Sequence, residues 1–310
     1  MLKQLALCVI AASMLTVPFG ERQTAAGAQD PPCGTTTHPA TYRHVIVLML
    51  ENRTYNDIIG NADAPYLNRL SQECGLATNY HAVTHDSLPN YIAATSGKTL
   101  ANLPHSCTPI ECPMGGPSIF SQLGQPSWHS FQEHMPVVCD RNYAWNVNYK
   151  PQHNPASYYT GVHPACIAND TPAQSIPERY QWITPDMCND MHGMPACKDV
   201  SSLIRRGDTW TQTFLAKVFA TSDYQDGQTL VLITFDEGEA VHEGENCLAH
   251  LSDQTCHVPL WVVSAGVHPG ARSSALLSHY SLLRASESAL GLPLLGVAKD
   301  AGDLRKAFNV

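Results

Sequence analysis

The chain has 310 residues, with 18 Lys and Arg against 27 Asp and Glu, a formal net charge of −9. A net-acidic chain without a long Lys/Arg run lacks the clustered cations that release counterions from phosphates, so nucleic acid is excluded as a partner. With 44% hydrophobic and 15% charged residues it is not a disordered chain, and its length suits one large domain or one domain with a sizeable insertion.

Lys3 gives a positive start, Leu5 to Val17 is almost wholly apolar, and Ala26-Gly27-Ala28 offers the small residues of a cleavage site. This is the anatomy of a secretory signal peptide over residues 1–28 and predicts an exported, extracytoplasmic protein. The apolar run of about 13 residues is too short to cross a bilayer, and no other stretch is long enough, so no stable membrane span is expected. Of 11 cysteines, removal of Cys8 with the leader leaves an even set, which in an exported chain reads as a disulfide framework. A zinc site is the rival, but no C-x2-C pair occurs. The short separations Cys107/Cys112, Cys188/Cys197 and Cys247/Cys256 predict local loop staples.

Residues 29–42 are a polar leader into a single domain over 43–310. His44 to Leu50 is a continuous apolar, β-branched run that ends in Glu51-Asn52, the pattern of a strand buried on both faces of a parallel sheet. Pro65 to Glu73 has helical spacing with Pro in the first turn. Pro89 to Thr95 reads as the start of a helix after a turn. Residues 100–180 are rich in Pro, Cys, Trp, Tyr and Asn without a sustained period, and read as a disulfide-stapled, loop-rich cap over one edge of the core. Tyr180 to Thr184 is a short strand, and Ser202 to Ala220 a helix. Thr229 to Phe235 is a second buried strand ending in Asp236-Glu237, and Val258 to Ser264 a third. Ser281 to Leu290 is an amphipathic helix closed by Gly291 and Pro293. Strands alternating with helices predict an α/β fold with a mostly parallel central sheet.

In an open parallel sheet, ligands bind beyond the carboxyl ends of the strands. Glu51-Asn52 and Asp236-Glu237 both stand at such ends. Either pair alone reads as a solvated turn; repeated on the two strongest strands, they predict an oxygen-rich site for a divalent cation. A third cluster, Asp186-Met-Cys-Asn-Asp190-Met-His192, could set Asp190 and His192 toward one metal. The fourth piece is His85-Asp86-Ser87-Leu88-Pro89-Asn90-Tyr91, where a Ser just ahead of a Pro-opened helix would hold its hydroxyl at a helix N-terminus that favours phosphate. No G-x-S-x-G exists, and Ile92 stands where the first Gly of a P-loop would have to precede Gly97-Lys98-Thr99.

Taken in order, HVIVLMLENRTYNDIIG, HDSLPNYIAATSG, ITPDMCNDMHG, TFDEGE and SHYSLLRASESALGLP carry a resemblance to the bacterial phosphoesterase family. That family holds non-haemolytic phospholipases C and secreted acid phosphatases. The chain looks most like the short branch, similar to acid phosphatases acting on phosphatidylinositol 3-phosphate. The resemblance covers about residues 43–293 and is weakest over 100–180. It implies an alkaline-phosphatase-like α/β/α sandwich and a phosphoenzyme mechanism with a hydroxyl nucleophile at a metal.

Carried over, Glu51 and Asn52 match the family's first metal-proximal pair, and Asp236 and Glu237 its second. Ser87 takes the nucleophile's place. Asp190 and His192 match the N-D-M-H motif, with Asp190 a metal ligand and His192 able to protonate the leaving oxygen. His85, Asn90 and His279, the last in SHYSLLR, are expected to face the phosphate. The cofactor implied is a divalent ion, Ca²⁺, Mg²⁺ or Zn²⁺, and the partner a phosphate-ester small molecule or a phospholipid head group. Two other readings stay open: a phospholipase C-type phosphodiesterase, and a non-catalytic secreted calcium-binding protein.

Overall fold

A computed structural model of the chain describes residues 31–310 except 125, 143–147, 161, 163–165, 169–177 and 240–244, with the side chains of 166–168 also left aside. The expected leader over 1–28 lies outside the described residues.

The strands are β1 (His44–Leu50), β2 (Gly75–Ala77), β3 (Tyr80–His81), β4 (Trp128–Gln132), β5 (Cys166–Ala168), β6 (Tyr180–Thr184), β7 (Thr229–Phe235), β8 (Leu260–Val263), β9 (Arg272–Ser273) and β10 (Leu277–Ser278). The α-helices are α1 (Tyr55–Ile58), α2 (Pro65–Glu73), α3 (Ser87–Ser96), α4 (Ile119–Leu123), α5 (Val200–Phe219), α6 (Ser222–Gln225), α7 (His279–Ala289) and α8 (Leu304–Phe308). Eight strands form the central sheet in the order β5-β4-β6-β1-β7-β8-β2-β9. From β5 to β7 every neighbour is parallel, and β8 runs antiparallel to both β7 and β2. Helix α3 packs with α7, and α2 with α5, the helical layers of an α/β/α sandwich.

The apolar runs explain the middle of the sheet. All seven residues of β1 and of β7 are buried, as parallel strands covered on both faces must be. Their register pairs Leu50 with Phe235, so the residues that follow emerge side by side. Strand β6 flanks β1 on the other side, with Ile183 beside Leu48. The loop after β6 therefore joins the same edge.

Segment 100–180, read as stapled loops with short elements, contributes to the sheet itself. It supplies β4 and β5, which extend the sheet beyond β6. The sequence hides them because β4 reads Trp-His-Ser-Phe-Gln with four of five positions buried, so polar His129, Ser130 and Gln132 break any apolar run. Buried Ser130 and Gln132 are instead satisfied locally, Gln132 Nε2 donating to Ser130 Oγ at 2.9 Å and to Thr184 Oγ1 at 3.3 Å.

The three short staples form as their spacing suggested, Cys107–Cys112, Cys188–Cys197 and Cys247–Cys256. A fourth bond, Cys33–Cys74, ties the leader to the end of α2. No helix among the described residues is long and apolar enough to cross a membrane.

Helix α7 carries a buried acid away from the sheet edge that bears the acidic pairs. Glu287 accepts from the Leu295 amide at 3.2 and 3.1 Å, and burial lifts its pKa to about 7. Its folded value lies above the unfolded one, so the folded state holds the proton more firmly. The stabilisation is complete below the unfolded pKa and declines as pH rises to about 7. Glu287→Gln is expected to remove that slope, worth on the order of 3 kcal/mol between pH 4 and 8. Urea denaturation of both proteins across this range checks it; parallel pH profiles would contradict the assignment.

Candidate active site

The carboxyl ends of β1, β6 and β7 converge through backbone contacts. Asp236 N donates to Leu50 O at 3.0 Å, and Glu51 N donates to Asp190 O at 2.8 Å. Asn52 N donates to Asp236 Oδ1 at 3.1 Å. These bonds draw Glu51, Asp190 and Asp236 together, each fully buried. Three non-glycine residues at this edge hold positive φ: Asn52 (53°), Asp86 (87°) and Met191 (81°). Such backbone costs on the order of 1–3 kcal/mol each and persists where the surroundings enforce it.

Helix α3 begins at Ser87 itself, with Asp86 as N-cap, two residues before the expected Pro89. Pro is tolerated there because first-turn amides have no intrahelical acceptor to lose. Ser87 thus sits inside the first turn instead of ahead of it. Its hydroxyl donates to Glu51 Oε2 at 3.2 Å and also opposes the upward pKa shift of Asp236 and of Glu237. The other oxygen of Glu51 accepts from the Tyr91 hydroxyl in a very short bond. Tyr91 is one turn further along the same helix.

Glu237 Oε2 accepts from the Asp86 amide at 3.1 Å and lies 2.8 Å from His85 Nδ1. The other ring nitrogen of His85 meets Thr255 Oγ1 at 3.0 Å, against the Cys247–Cys256 disulfide. His85 therefore braces Glu237 from behind. Asn90 does the same for the loop before α3: its Oδ1 accepts from the Val83 and Thr84 amides, and its Nδ2 donates to the carbonyls of Thr84 and Asp86. His279 lies between Tyr80 OH, 2.8 Å from Nδ1, and the Asp236 carbonyl, 2.5 Å from Nε2. Asn90 and His279 are 0% exposed, and their polar atoms are engaged within the fold. Both were expected to face phosphate; these contacts point them at the backbone that shapes the site.

His153, in the segment read as a cap, carries no distinguishing signal in the residue pattern. Its Nε2 lies 3.3 Å from Glu51 Oε1, and its Nδ1 lies 3.5 Å from Asp190 Oδ2. Its ring stacks on Tyr91. His192 is near, its ring centroid 5.7 Å from that of His153, and its amide donates to Asp190 Oδ1 at 2.7 Å. Asp190 and His192 thus meet through the His192 backbone. The His192 ring is engaged at both nitrogens, Nδ1 2.8 Å from Gly193 O and Nε2 3.2 Å from Lys150 Nζ. Lys150 and His153 belong to no quoted motif, and Tyr91, inside HDSLPNYIAATSG, had no role assigned to it. Only their placement by α3 and by the 150–155 turn reveals them.

The electrostatics call for a cation. Burial and the neighbouring Asp236 and Asp190 push the Glu51 carboxyl well above its ordinary value. Burial raises Asp190 strongly as well, and raises Asp236. Burial, with Asp236 and Asp86 beside it, lifts Glu237 to about 10. Burial and Lys150 lower His192 to about 4, and the same two causes with His192 hold His153 well below the usual range. Among the described residues, buried Asn52 Oδ1, His153 Nε2, Asp190 Oδ2 and Asp236 Oδ2 at this edge have no hydrogen-bond partner. Orphaned buried acceptors among crowded carboxylates are costly unless a ligand satisfies them. Glu51, His153 and His192 also form a group whose ligand atoms lie within 4.8 Å of one another. The donor set fits a divalent metal.

Known proteins resemble the chain in sequence and in fold. The sequence profile of the Phosphoesterase family matches residues 61–293, a stretch that begins just after Glu51 and Asn52. A phosphatidylinositol-3-phosphatase of Mycobacterium tuberculosis is 27% identical over 276 residues, covering 84% of this chain and 81% of that protein. A probable acid phosphatase of Kluyveromyces lactis is 28% identical, covering 83% of this chain but 60% of its own length. Among solved structures, a protein of the alkaline phosphatase superfamily from Vibrio parahaemolyticus superposes with a TM-score of 0.59 at 13% identity, over 89% of this chain and 73% of that one.

Proposed function

The chain belongs to the phosphoesterase family and has the alkaline-phosphatase-like fold, and from that premise we propose that it is a secreted, metal-dependent phosphomonoesterase working through a phosphoserine on Ser87. Hydrolysis of phosphoric esters is the activity its phosphatase relatives support. The observation that carries the finer reading is the Ser87 hydroxyl at the N-terminus of α3, 3.2 Å from Glu51 Oε2, in a ring of buried carboxylates with unsatisfied oxygens.

Glu51, Asn52, Asp190, Asp236 and Glu237, with His153, are the residues that would hold the metal. A divalent cation bound there neutralises phosphate charge and lowers the pKa of a nearby hydroxyl. The chain's own groups do the rest. The first-turn amides of α3 offer donors to phosphate oxygens. Glu51 Oε2 accepts the proton of the Ser87 hydroxyl as Oγ attacks phosphorus, and the ester oxygen departs on the opposite side, taking a proton from solvent. Water then attacks phosphorus and loses a proton to solvent, the Oγ–P bond breaks, and Ser87 Oγ recovers its proton from Glu51. His279 and Asn90 fix the backbone on either side, holding Asp236 and the 83–86 loop in place. His192 is neutral above about pH 4 and turned toward Lys150, which suits it to orienting that lysine better than to protonating the leaving group.

Oxygen donors favour Ca²⁺ or Mg²⁺, and the nitrogen of His153 admits Zn²⁺. Phosphoinositides enter as candidate substrates through the mycobacterial relative alone. The test is an activity panel on the chain from residue 29 onward. It compares a phosphomonoester, a phosphodiester and phosphatidylcholine, with and without chelator, and with each ion restored. Monoester hydrolysis lost to chelator and restored by one ion is expected. Preferential cleavage of phosphatidylcholine or the diester would install the phospholipase C reading. No turnover on any ester would leave the calcium-binding one.

A further inference from the structure

The carboxylates gathered at this sheet edge repel the doubly charged phosphate of a monoester. Among the described residues, the cation that acts on both Glu51 and Asp190 is Lys150. It follows the segment 143–147 and immediately precedes the short turn Pro151–His153, which carries His153 against Glu51. Its ammonium lies 3.2 Å from His192 Nε2. Because the other His192 nitrogen faces the Gly193 carbonyl at 2.8 Å and must carry the hydrogen there, Nε2 presents a lone pair and accepts one of the three Lys150 N–H bonds. No acidic side chain pairs with Lys150 among the described residues. Among the described residues, two N–H bonds of Lys150 thus have no partner.

We propose that Lys150, oriented by His192, is the residue that sets the preference for a terminal phosphate: it binds the second negative charge that a monoester has and a diester lacks. This rests on the reading of the site as a phosphoesterase centre and goes beyond it by naming what selects the substrate class. A diester offers one formal charge at phosphorus and leaves Lys150 facing an esterified oxygen that accepts weakly. A charge-assisted hydrogen bond is worth enough to change affinity by about tenfold or more. The preference therefore belongs to ground-state capture as well as turnover. A fixed ammonium serves a dianion on any alcohol, so the alcohol itself is not selected by this residue.

The test uses Lys150→Met and Lys150→Arg in the full mature chain, measured in two ways. In the first, inorganic phosphate is titrated calorimetrically into metal-loaded protein. At saturating metal, wild type and Lys150→Arg are expected to bind, and Lys150→Met to bind about tenfold or more weakly. In the second, kcat and KM are measured for a phosphomonoester and a phosphodiester. Lys150→Met is expected to raise KM for the monoester, leave the diester nearly untouched and so collapse the ratio of the two, with Arg restoring most of it. Equal phosphate affinity in Met and wild type, or an equal loss on both esters, overturns the proposal. Failure of the site reading looks different: the wild type then turns over no ester, while the phosphate titration still decides whether Lys150 binds the dianion.

Discussion

Ser87→Ala is expected to leave a folded protein that still binds metal and has lost turnover by on the order of 10⁴-fold or more, the scale seen when a nucleophile is removed from an otherwise intact site. The variant deletes one hydroxyl at the first turn of α3. Asp86 remains the N-cap, Tyr91 still donates to Glu51, and the carboxylates keep their backbone donors. Nothing in this set holds the fold through Ser87 Oγ, so thermal stability and metal affinity are the controls that separate lost chemistry from lost structure. Ser87→Thr keeps an attacking oxygen and is expected to retain part of the activity. Retention of most turnover in Ser87→Ala would make a water molecule the nucleophile and end the covalent mechanism.

Asp236→Asn is the second large effect, and it has a sign that a simple loss of stability does not. The Asn carbonyl oxygen can still accept from the Asn52 amide, now 3.1 Å from Asp236 Oδ1. What disappears is the negative charge that raises the pKa of buried Glu51 and Glu237. In the metal-free state this relieves repulsion, so the variant is expected to melt at or above the chelated wild type. With metal present the order reverses. A cation at 100 times its dissociation constant stabilises the native state by about 2.7 kcal/mol, which in a domain of this size is roughly 5–10 °C. The variant forfeits most of that, along with activity. Thermal melts of both proteins with chelator and with Ca²⁺, Mg²⁺ or Zn²⁺ read the crossing. A variant that melts higher with metal to the same extent as wild type, at full activity, would remove Asp236 from the ligand set.

How much of this was legible in the residues depends on how far each signal reached along the chain. Strands β1, β6 and β7 and helix α2 emerge at their expected bounds, because continuous apolar runs and a first-turn proline are local signals. The convergence of Glu51 with Asp236 followed from a general rule about parallel strand ends, and the β1–β7 register places them side by side. Strands β4 and β5 were hidden because their partners lie far along the chain and buried Ser130 and Gln132 carry no hydrophobic period. His153 and Lys150 were hidden for a related reason. A histidine between two prolines in a loop-rich stretch has no spacing to distinguish it, and only the folded turn brings it against Glu51. Asn90 and His279 show the converse. Their motif positions were evident, but whether an amide or an imidazole faces ligand or backbone depends on which polar atoms surround it, and Val83, Thr84, Tyr80 and the Asp236 carbonyl supply those atoms here.

On the proposed mechanism the phosphoryl group passes through Ser87. The most direct measurement is acid quench of the metal-loaded mature protein during turnover of a ³²P-labelled monoester, followed by proteolysis and mass spectrometry of the peptide containing residues 85–91. Acid preserves a phosphate monoester on serine while stopping its hydrolysis. The predicted result is a phosphoserine at Ser87 whose amount rises to a steady state before product accumulates and is absent from Ser87→Ala. Rapid product release with no label on this peptide at any quench time, or label on another residue, would contradict it.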